Sequence, residues 1–422
     1  MRVLVIGGGG REHAVIKALS RNKGIDEIYA LPGNGGMDEA VCVPIGAVEK
    51  DKIVDFAVKT GIDYAVVTPD DPLALGVTDA LQAAGIRCFG PTRAAAQIES
   101  SKAFAKALMK KYGIPTASCE IFDDEKKAIE YLARCSYPVV VKADGLALGK
   151  GVVIAKDRAA AESAVHSMMS DKIFGTSGDK VLMEEYLSGP EVSVLSFTDG
   201  KTVKPMVSSM DHKRAFDGDE GPNTGGMGAV APNPYYTPEI ADRCMREIFL
   251  PTIKAMEKEG RRFKGCLYFG LMLTENGPKV IEYNCRFGDP ETQAVLPLME
   301  SDLFTVMQAV TDEKLAETEV KFSDKHSCCV VMASAGYPLK YEKGFEITVP
   351  PQLKQYVFAA GAARKEDKLL TNGGRVLGVG AVADSLEEAV SKAYDRVKQI
   401  RFENAFYRRD IGKRALEATE GK

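Results

Sequence analysis

The sequence predicts an α/β protein that opens with a doubly wound parallel sheet and continues into further α+β units. Three observations predict it. Over the first hundred residues, short apolar runs alternate with helix-period segments, the pattern of a parallel sheet flanked by helices. Beyond about residue 190 the apolar pattern turns to a two-residue period broken by turn residues, which reads as antiparallel pairing. At 422 residues the chain is also too long for one ordinary core and should divide into two or three domains.

In order, buried parallel strands are expected at 3–6, 27–30, 64–68 and 87–89, with helices near 12–21, 50–60 and 75–84. The pattern shifts after Gly90-Pro91-Thr92. Ser100 or Ser101 can cap a helix over 102–112, which Gly113 closes with Pro115 just beyond. A smaller unit follows: helix 124–134, strand 138–142, a glycine loop, strand 151–155 and helix 159–169. Residues 192–288 carry the antiparallel signals, a loop at 221–228 and an Asn276-Gly277 hairpin turn. The charged stretch 312–326 reads as a boundary; strands near 327–333 and 374–382 and a helix over 385–400, capped by Asp384, complete the chain. The expected domains are therefore 1–100, 101–325 with a subdomain at about 121–190, and 326–422.

Composition excludes several classes. The chain is 45% hydrophobic and 27% charged, a globular balance, and its net charge of −4 supplies no basic field for nucleic acid or an anionic membrane. No apolar run reaches membrane-spanning length, and the N-terminus enters a strand with no signal-peptide pattern. Nine scattered cysteines, odd in number and never spaced CxxC, point to a reduced, cytoplasmic protein. Four histidines without HExxH argue against a zinc enzyme.

The run Lys279-Val280-Ile281-Glu282-Tyr283-Asn284-Cys285-Arg286 carries the chemistry. Read as a strand, it places Glu282, Asn284 and Arg286 on one face and Ile281, Tyr283 and Cys285 on the other. A carboxylate beside a carboxamide suits a hard cation such as Mg²⁺, which takes few protein ligands and completes its shell with phosphate and water. Arg286 can neutralise a phosphoryl or acyl-phosphate oxygen.

Two glycine loops add to this. Gly7-Gly8-Gly9-Gly10-Arg11-Glu12-His13 joins a strand to a helix, but the sixth position is Glu12 or His13 rather than Gly, so the dinucleotide fingerprint fails and a nicotinamide oxidoreductase is disfavoured. The turn can still offer backbone N–H groups to an anion. The second loop, Lys142 to Gly151, is not a P-loop, because only three residues separate Gly145 from Gly149 and a strand follows. Such a glycine hairpin, with Lys150 at its tip and Lys142 below, can close over a triphosphate. About forty residues on, Glu184-Glu185-Tyr186-Leu187 runs into Gly189-Pro190-Glu191, a connector able to present backbone groups to an adenine edge.

This ordered combination resembles the ATP-grasp architecture, in which two subdomains clamp ATP. Asp211-His212-Lys213-Arg214, Gly221 to Gly228, Asn284 to Gln293, Asn372 to Val376 and the opening Val3 to His13 resemble the glycinamide ribonucleotide synthetase (phosphoribosylamine–glycine ligase) family. The likeness covers essentially the whole chain. It implies an ATP-grasp fold and ATP-dependent joining of glycine to 5-phosphoribosylamine through glycyl phosphate, in purine biosynthesis, by a monomer or weak dimer.

Position by position, the resemblance implies that Glu282 and Asn284 hold Mg²⁺ or Mn²⁺. Lys102 and Lys142 would contact ATP phosphates, with Gly145, Gly149, Lys150 and Gly151 in the lid. Glu184, Tyr186 and Leu187 would frame the adenine, and Glu191 the ribose. Arg286, Lys142, Asp211 and Lys213 would serve the chemistry. Gly10, Arg11, Glu12, Asp70, Asp211, His212, Lys213, Asn223, Gly225, Gly226, Met227 and Arg286 would line the substrate side, with the ribosyl phosphate on Gly373, Gly374 and Arg375. Where the family more often has Pro-Glu, this chain has Pro69-Asp70, a shorter carboxylate; Leu148 stands where a small residue is usual. The competing expectations are another ATP-grasp carboxylate–amine ligase or carboxylase, a nucleotide-binding regulator without turnover, and a dehydrogenase.

Overall fold

The computed structural model describes residues 1–147 and 151–420. The expected parallel sheet is present, in the order Val41–Cys42, Glu27–Pro32, Arg2–Gly7, Tyr64–Val67, Arg87–Phe89, and every pairing is parallel. Val3, Leu4, Val5 and Ile6 are fully buried because helices cover both faces. Strand order reverses at Arg2–Gly7, so the Gly7–Gly10 turn and the exit of Tyr64–Val67 flank the crevice where open α/β sheets bind ligands.

The expected helix 75–84 is two helices, Asp70–Ala74 and Val77–Ala83, broken where Gly76 adopts a φ of 79°. A further helix, Arg93–Ser100, begins at Thr92, whose hydroxyl accepts from the Ala95 amide. The Gly90-Pro91-Thr92 break conceals it in the sequence, because Thr92 serves as its N-cap. Helix Lys102–Tyr112 forms as expected, with Ser101 as its N-cap and Gly113 left-handed at its end.

Two antiparallel sheets follow. The smaller runs Cys119–Phe122, Val181–Glu185, Val139–Ala143, Val152–Ala155, and helices Glu125–Leu132 and Arg158–Met169 pack against it. Its edge strand Cys119–Phe122 has no alternating burial, which is why no strand signal was visible. The larger runs Val203–Pro205, Glu191–Thr198, Gly265–Thr274, Gly277–Asn284. Here Gly270 opposes Glu282 while Leu271 opposes Val280, leaving Ile281 as a bulge. The apolar face is consequently Val280, Tyr283 and Cys285, with Ile281 only half-buried.

The last sheet crosses the expected boundary at 326. Its order is Met210–Asp211, Gly228–Ala231, His326–Ser334, Arg375–Ala383, Val357–Ala359, so two strands from the middle of the chain complete a C-terminal sheet. Helix Leu386–Val397 packs on it, capped by Ser385 rather than Asp384. Among the described residues, no helix is long and apolar enough to cross a membrane.

Candidate active site

The bulge at Ile281 has a direct use. It frees the Ile281 carbonyl to accept from Lys142 Nζ at 3.2 Å, and the same ammonium bonds Glu184 Oε2 at 2.9 Å. Lys106 reaches Glu184 Oε2 from the other side at 3.1 Å, so a buried carboxylate lies between two lysines. Lys102 Nζ donates to the Gly145 carbonyl at 2.9 Å, tying helix Lys102–Tyr112 to the glycine loop. Asp144 strengthens that tie by accepting from the Ala103 amide at 2.7 Å and from Ser101 Oγ at 3.1 Å. Gly145 and Gly151 are closely packed: a Cβ on either would meet Ser177 Oγ at 2.4 Å or Ala147 Cβ at 2.7 Å. Gly149 and Lys150 lie outside the described residues.

Glu282 sits among these cations, with Lys213 Nζ at 3.7 Å. Burial pushes its carboxyl pKa up, but Lys213, Lys142, Lys102 and Arg286 outweigh burial and hold it below the usual range. Lys213 also reaches Glu191 Oε2 at 3.5 Å, and Glu191 is the main reason its own pKa rises. Asn284 Oδ1 accepts from Arg286 Nη2 at 3.0 Å. Glu282 and Asn284 thus offer a charged and a neutral oxygen side by side. That donor set fits a hard divalent cation whose remaining ligands are phosphate oxygens and water.

Arg286 is gripped by a residue that sequence reasoning missed. Glu99 Oε1 lies 3.0 Å from Arg286 Nη2, while Glu99 Oε2 accepts from the Cys285 amide at 2.7 Å. Asp70 also faces Arg286. Burial raises the Asp70 pKa, and Arg286 and Arg11 more than reverse that. Arg11 Nη1 donates to the Phe287 carbonyl at 3.2 Å, so the opening glycine turn meets the loop after the 277–284 strand. Gly10 packs there as well, since a Cβ would meet Gln293 Nε2 at 2.5 Å.

Asp211, Gly225 and Gly226 converge around Pro290 and Arg375. A Cβ on Gly226 would meet Asp211 Oδ1 at 2.7 Å and Pro290 Cδ at 2.4 Å. Asp211 Oδ1 is buried without a hydrogen-bond partner among the described residues, and burial with nearby Glu291 raises the Asp211 pKa well above the usual range. Arg375 Nη1 donates to the carbonyls of Gly225 at 2.6 Å and Asp289 at 2.7 Å, and its Nη2 lies 3.3 Å from Asp289 Oδ2. Asn223 pairs with Arg214 across a short hairpin. Gly373 and Gly374 admit close neighbours: Gly361 packs on the first and the Tyr337 ring on the second.

Three residues expected on the substrate side have their side chains engaged within the protein. The Glu12 carboxylate turns inward to accept from the Gly9 amide at 2.6 Å and Arg11 Nε at 2.6 Å, because helix Gly10–Leu19 makes it the third residue and hence a cap partner. His212 Nε2 accepts from the Gly412 amide at 3.1 Å and Nδ1 contacts the Gly228 carbonyl at 3.2 Å, so one ring nitrogen holds the C-terminal segment and the other the Gly228–Ala231 strand. Met227 is a core side chain, fully buried among Val330, Val376 and neighbours. The Glu184 carboxylate is likewise engaged, by Lys106 and Lys142. Tyr186 and Glu191 are exposed and Leu187 half-buried, leaving the connector's backbone accessible.

Residues 1–99, 100–292 and 327–414 match the N, ATP-grasp (A) and C domains of phosphoribosylglycinamide synthetase. The chain belongs to the phosphoribosylglycinamide synthetase family. A phosphoribosylamine–glycine ligase of Caldanaerobacter subterraneus is 46% identical over 413 residues, covering 97% of this chain and 99% of the relative. The crystal structure of the Thermotoga maritima phosphoribosylamine–glycine ligase superposes with a TM-score of 0.87 at 35% identity, covering 97% of this chain and all of that one. A biotin carboxylase domain from Hydrogenobacter thermophilus shares the fold alone, with a TM-score of 0.75 at 17% identity, covering 96% of this chain and 91% of that one. As a member of the phosphoribosylglycinamide synthetase family, the chain is an ATP-grasp ligase of the phosphoribosylamine–glycine type, acting in purine biosynthesis. Membership also implies use of ATP and, in general, of a divalent metal. The dehydrogenase expectation falls with it.

Proposed function

We propose that the enzyme phosphorylates glycine with ATP and then joins glycyl phosphate to the amine of 5-phosphoribosylamine, releasing ADP and phosphate. The observation that carries this reading is the Glu282 carboxylate, kept anionic by three lysines and an arginine where the two antiparallel sheets meet the glycine loop. In the first step a glycine carboxylate oxygen attacks the γ-phosphorus and the bond to ADP breaks. Lys102 and Lys142 neutralise the phosphates as charge shifts to the leaving ADP oxygen. The residues that would hold Mg²⁺ or Mn²⁺ are Glu282 and Asn284; the ion would offset phosphate charge.

In the second step the amine nitrogen attacks the acyl carbon, phosphate leaves, and the ammonium so formed gives up its proton to the departing phosphate or to water. Arg286 faces the carboxylate and then the acyl phosphate, where a guanidinium stabilises the tetrahedral oxyanion and the departing phosphate. Tyr186, Leu187 and Glu191 hold the nucleoside. Asp70, Arg11, Asp211, Lys213 and the 223–226 loop line the amine side, and Gly373, Gly374 and Arg375 back the ribosyl phosphate. We place this activity in a cytoplasmic monomer or weak dimer organised as 1–100, 101–325 and 326–422. The test is ADP release with ATP, Mg²⁺, glycine and phosphoribosylamine generated from ribose 5-phosphate and ammonia. Turnover should require every component. Equal turnover with formate or bicarbonate in place of glycine would overturn the assignment.

A further inference from the structure

We propose that Glu99 is a positioning residue that aims Arg286 at the reacting carboxylate; this rests on the role given to Arg286 above. Glu99 lies in the last turn of helix Arg93–Ser100, far in sequence from the chemistry, and is buried. Its carboxylate makes two bonds at once, one to the Arg286 side chain at 3.0 Å and one to the backbone amide of Cys285 at 2.7 Å. A single rigid group therefore fixes both where strand Gly277–Asn284 ends and how the guanidinium beyond it is turned.

The other bonds of Arg286 support this reading. Nη1 donates to the Phe287 carbonyl at 3.1 Å and Nη2 is shared between Glu99 and Asn284 Oδ1. Nε is buried and has no partner among the described residues. A guanidinium carries five N–H donors in a fixed plane, so clamping the two terminal nitrogens sets the direction of the third. An unpaired, buried cationic N–H is costly unless a ligand completes it, and an oxyanion is the chemistry that would. Asn284 cannot be the permanent clamp, because its Oδ1 is also a proposed metal ligand. When that oxygen turns to a cation, Glu99 is the partner that still holds Nη2. A buried carboxylate contributes little net stability compared with an apolar isostere, so its benefit here lies in orientation.

Glutamine at this position keeps the reach but can accept only one of the two hydrogen bonds and has no charge. For E99Q we expect turnover to fall on the order of tenfold to hundredfold, with a raised KM for glycine. ADP affinity measured by calorimetry without glycine should stay within about twofold of wild type, since the nucleotide contacts lie elsewhere. E99D, which restores the charge on a shorter stem, should recover part of the lost turnover. The double variant E99Q/R286A should be no slower than R286A alone, as expected when one residue acts only through the other. Wild-type turnover in E99Q would overturn the proposal. So would parallel losses of melting temperature, ADP affinity and turnover, or losses that multiply in the double variant. Should E99Q fail to fold, E99D paired with R286A carries the same comparison. Wild-type turnover in R286A would instead overturn the role of Arg286, and this inference with it.

Discussion

Replacing Glu282 with glutamine preserves size and removes one charge, so it separates catalysis from folding. The nearest cation, Lys213 Nζ at 3.7 Å, is itself over a third exposed, and Glu282 about one third. An ion pair so open to solvent is worth at most about 1 kcal/mol. Lys213 also keeps Glu191 at 3.5 Å after the substitution, so no cation is stranded. For a chain of 422 residues such a loss should move the melting temperature by only about 1 °C. The chemical step should behave differently. A divalent cation positioned on the phosphates contributes several kcal/mol to the transition state, and losing about 4 kcal/mol slows turnover roughly a thousandfold. The assay is ADP release at saturating ATP and glycine across a magnesium titration, with a thermal melt on the same preparation. Near wild-type turnover throughout the titration would refute the metal-site reading of this strand.

Two further predictions follow from residues whose surroundings are now defined. Arg375→Ala should raise the KM for phosphoribosylamine about tenfold to hundredfold, the loss of one charge-assisted anchor, while the constants for ATP and glycine stay near wild type; a comparable loss of ATP affinity instead would place the phosphate anchor elsewhere. His212 provides a pH test. Burial, followed by the Arg408 charge, lowers its pKa to about 4, below the unfolded value of about 6.5. A base whose folded pKa is depressed contributes stability that is complete above pH 6.5 and is lost as pH falls towards 4. Unfolding free energy by urea titration should therefore drop by roughly 2 kcal/mol more in wild type than in His212→Gln between pH 7 and pH 5. Equal slopes would show that the ring is not held neutral by its burial and the Arg408 charge.

The residue types that carry charge were legible in the sequence because local pattern exposes them. The alternation Glu282, Asn284, Arg286 needs only strand geometry, whereas the role of Lys102 came from the family resemblance and only its place at the start of a capped helix from local pattern. The carboxylates that organise those charges were not legible. Glu99, Asp144 and Asp289 reach the site from three separate segments, and local sequence does not name the partner each one finds. Glu99 did leave a trace: with Ala95, Ala96 and Ile98 it lies on the buried stripe of its helix, and a carboxylate on an apolar face calls for a partner. Glu12 differs: the helix starts at Gly10, two residues before the expected 12, and only that earlier start makes Glu12 the third residue and a cap partner. The break at Gly76 and the bulge at Ile281 depend on packing against neighbouring elements, so periodicity alone passed over both.

The sheet that crosses residue 326 bears on how the molecule could be cut. Severed between residues 325 and 326, the leading fragment would keep Gly228–Ala231 but lose the strand His326–Ser334 that pairs with it. It would then display a bare row of amides and carbonyls, an invitation to wrong partners and precipitation. The trailing fragment would lack the same edge from the other side. Produced together, the halves should find each other by adding strands across the cut, and ligase activity recovered from the mixture would report that reunion.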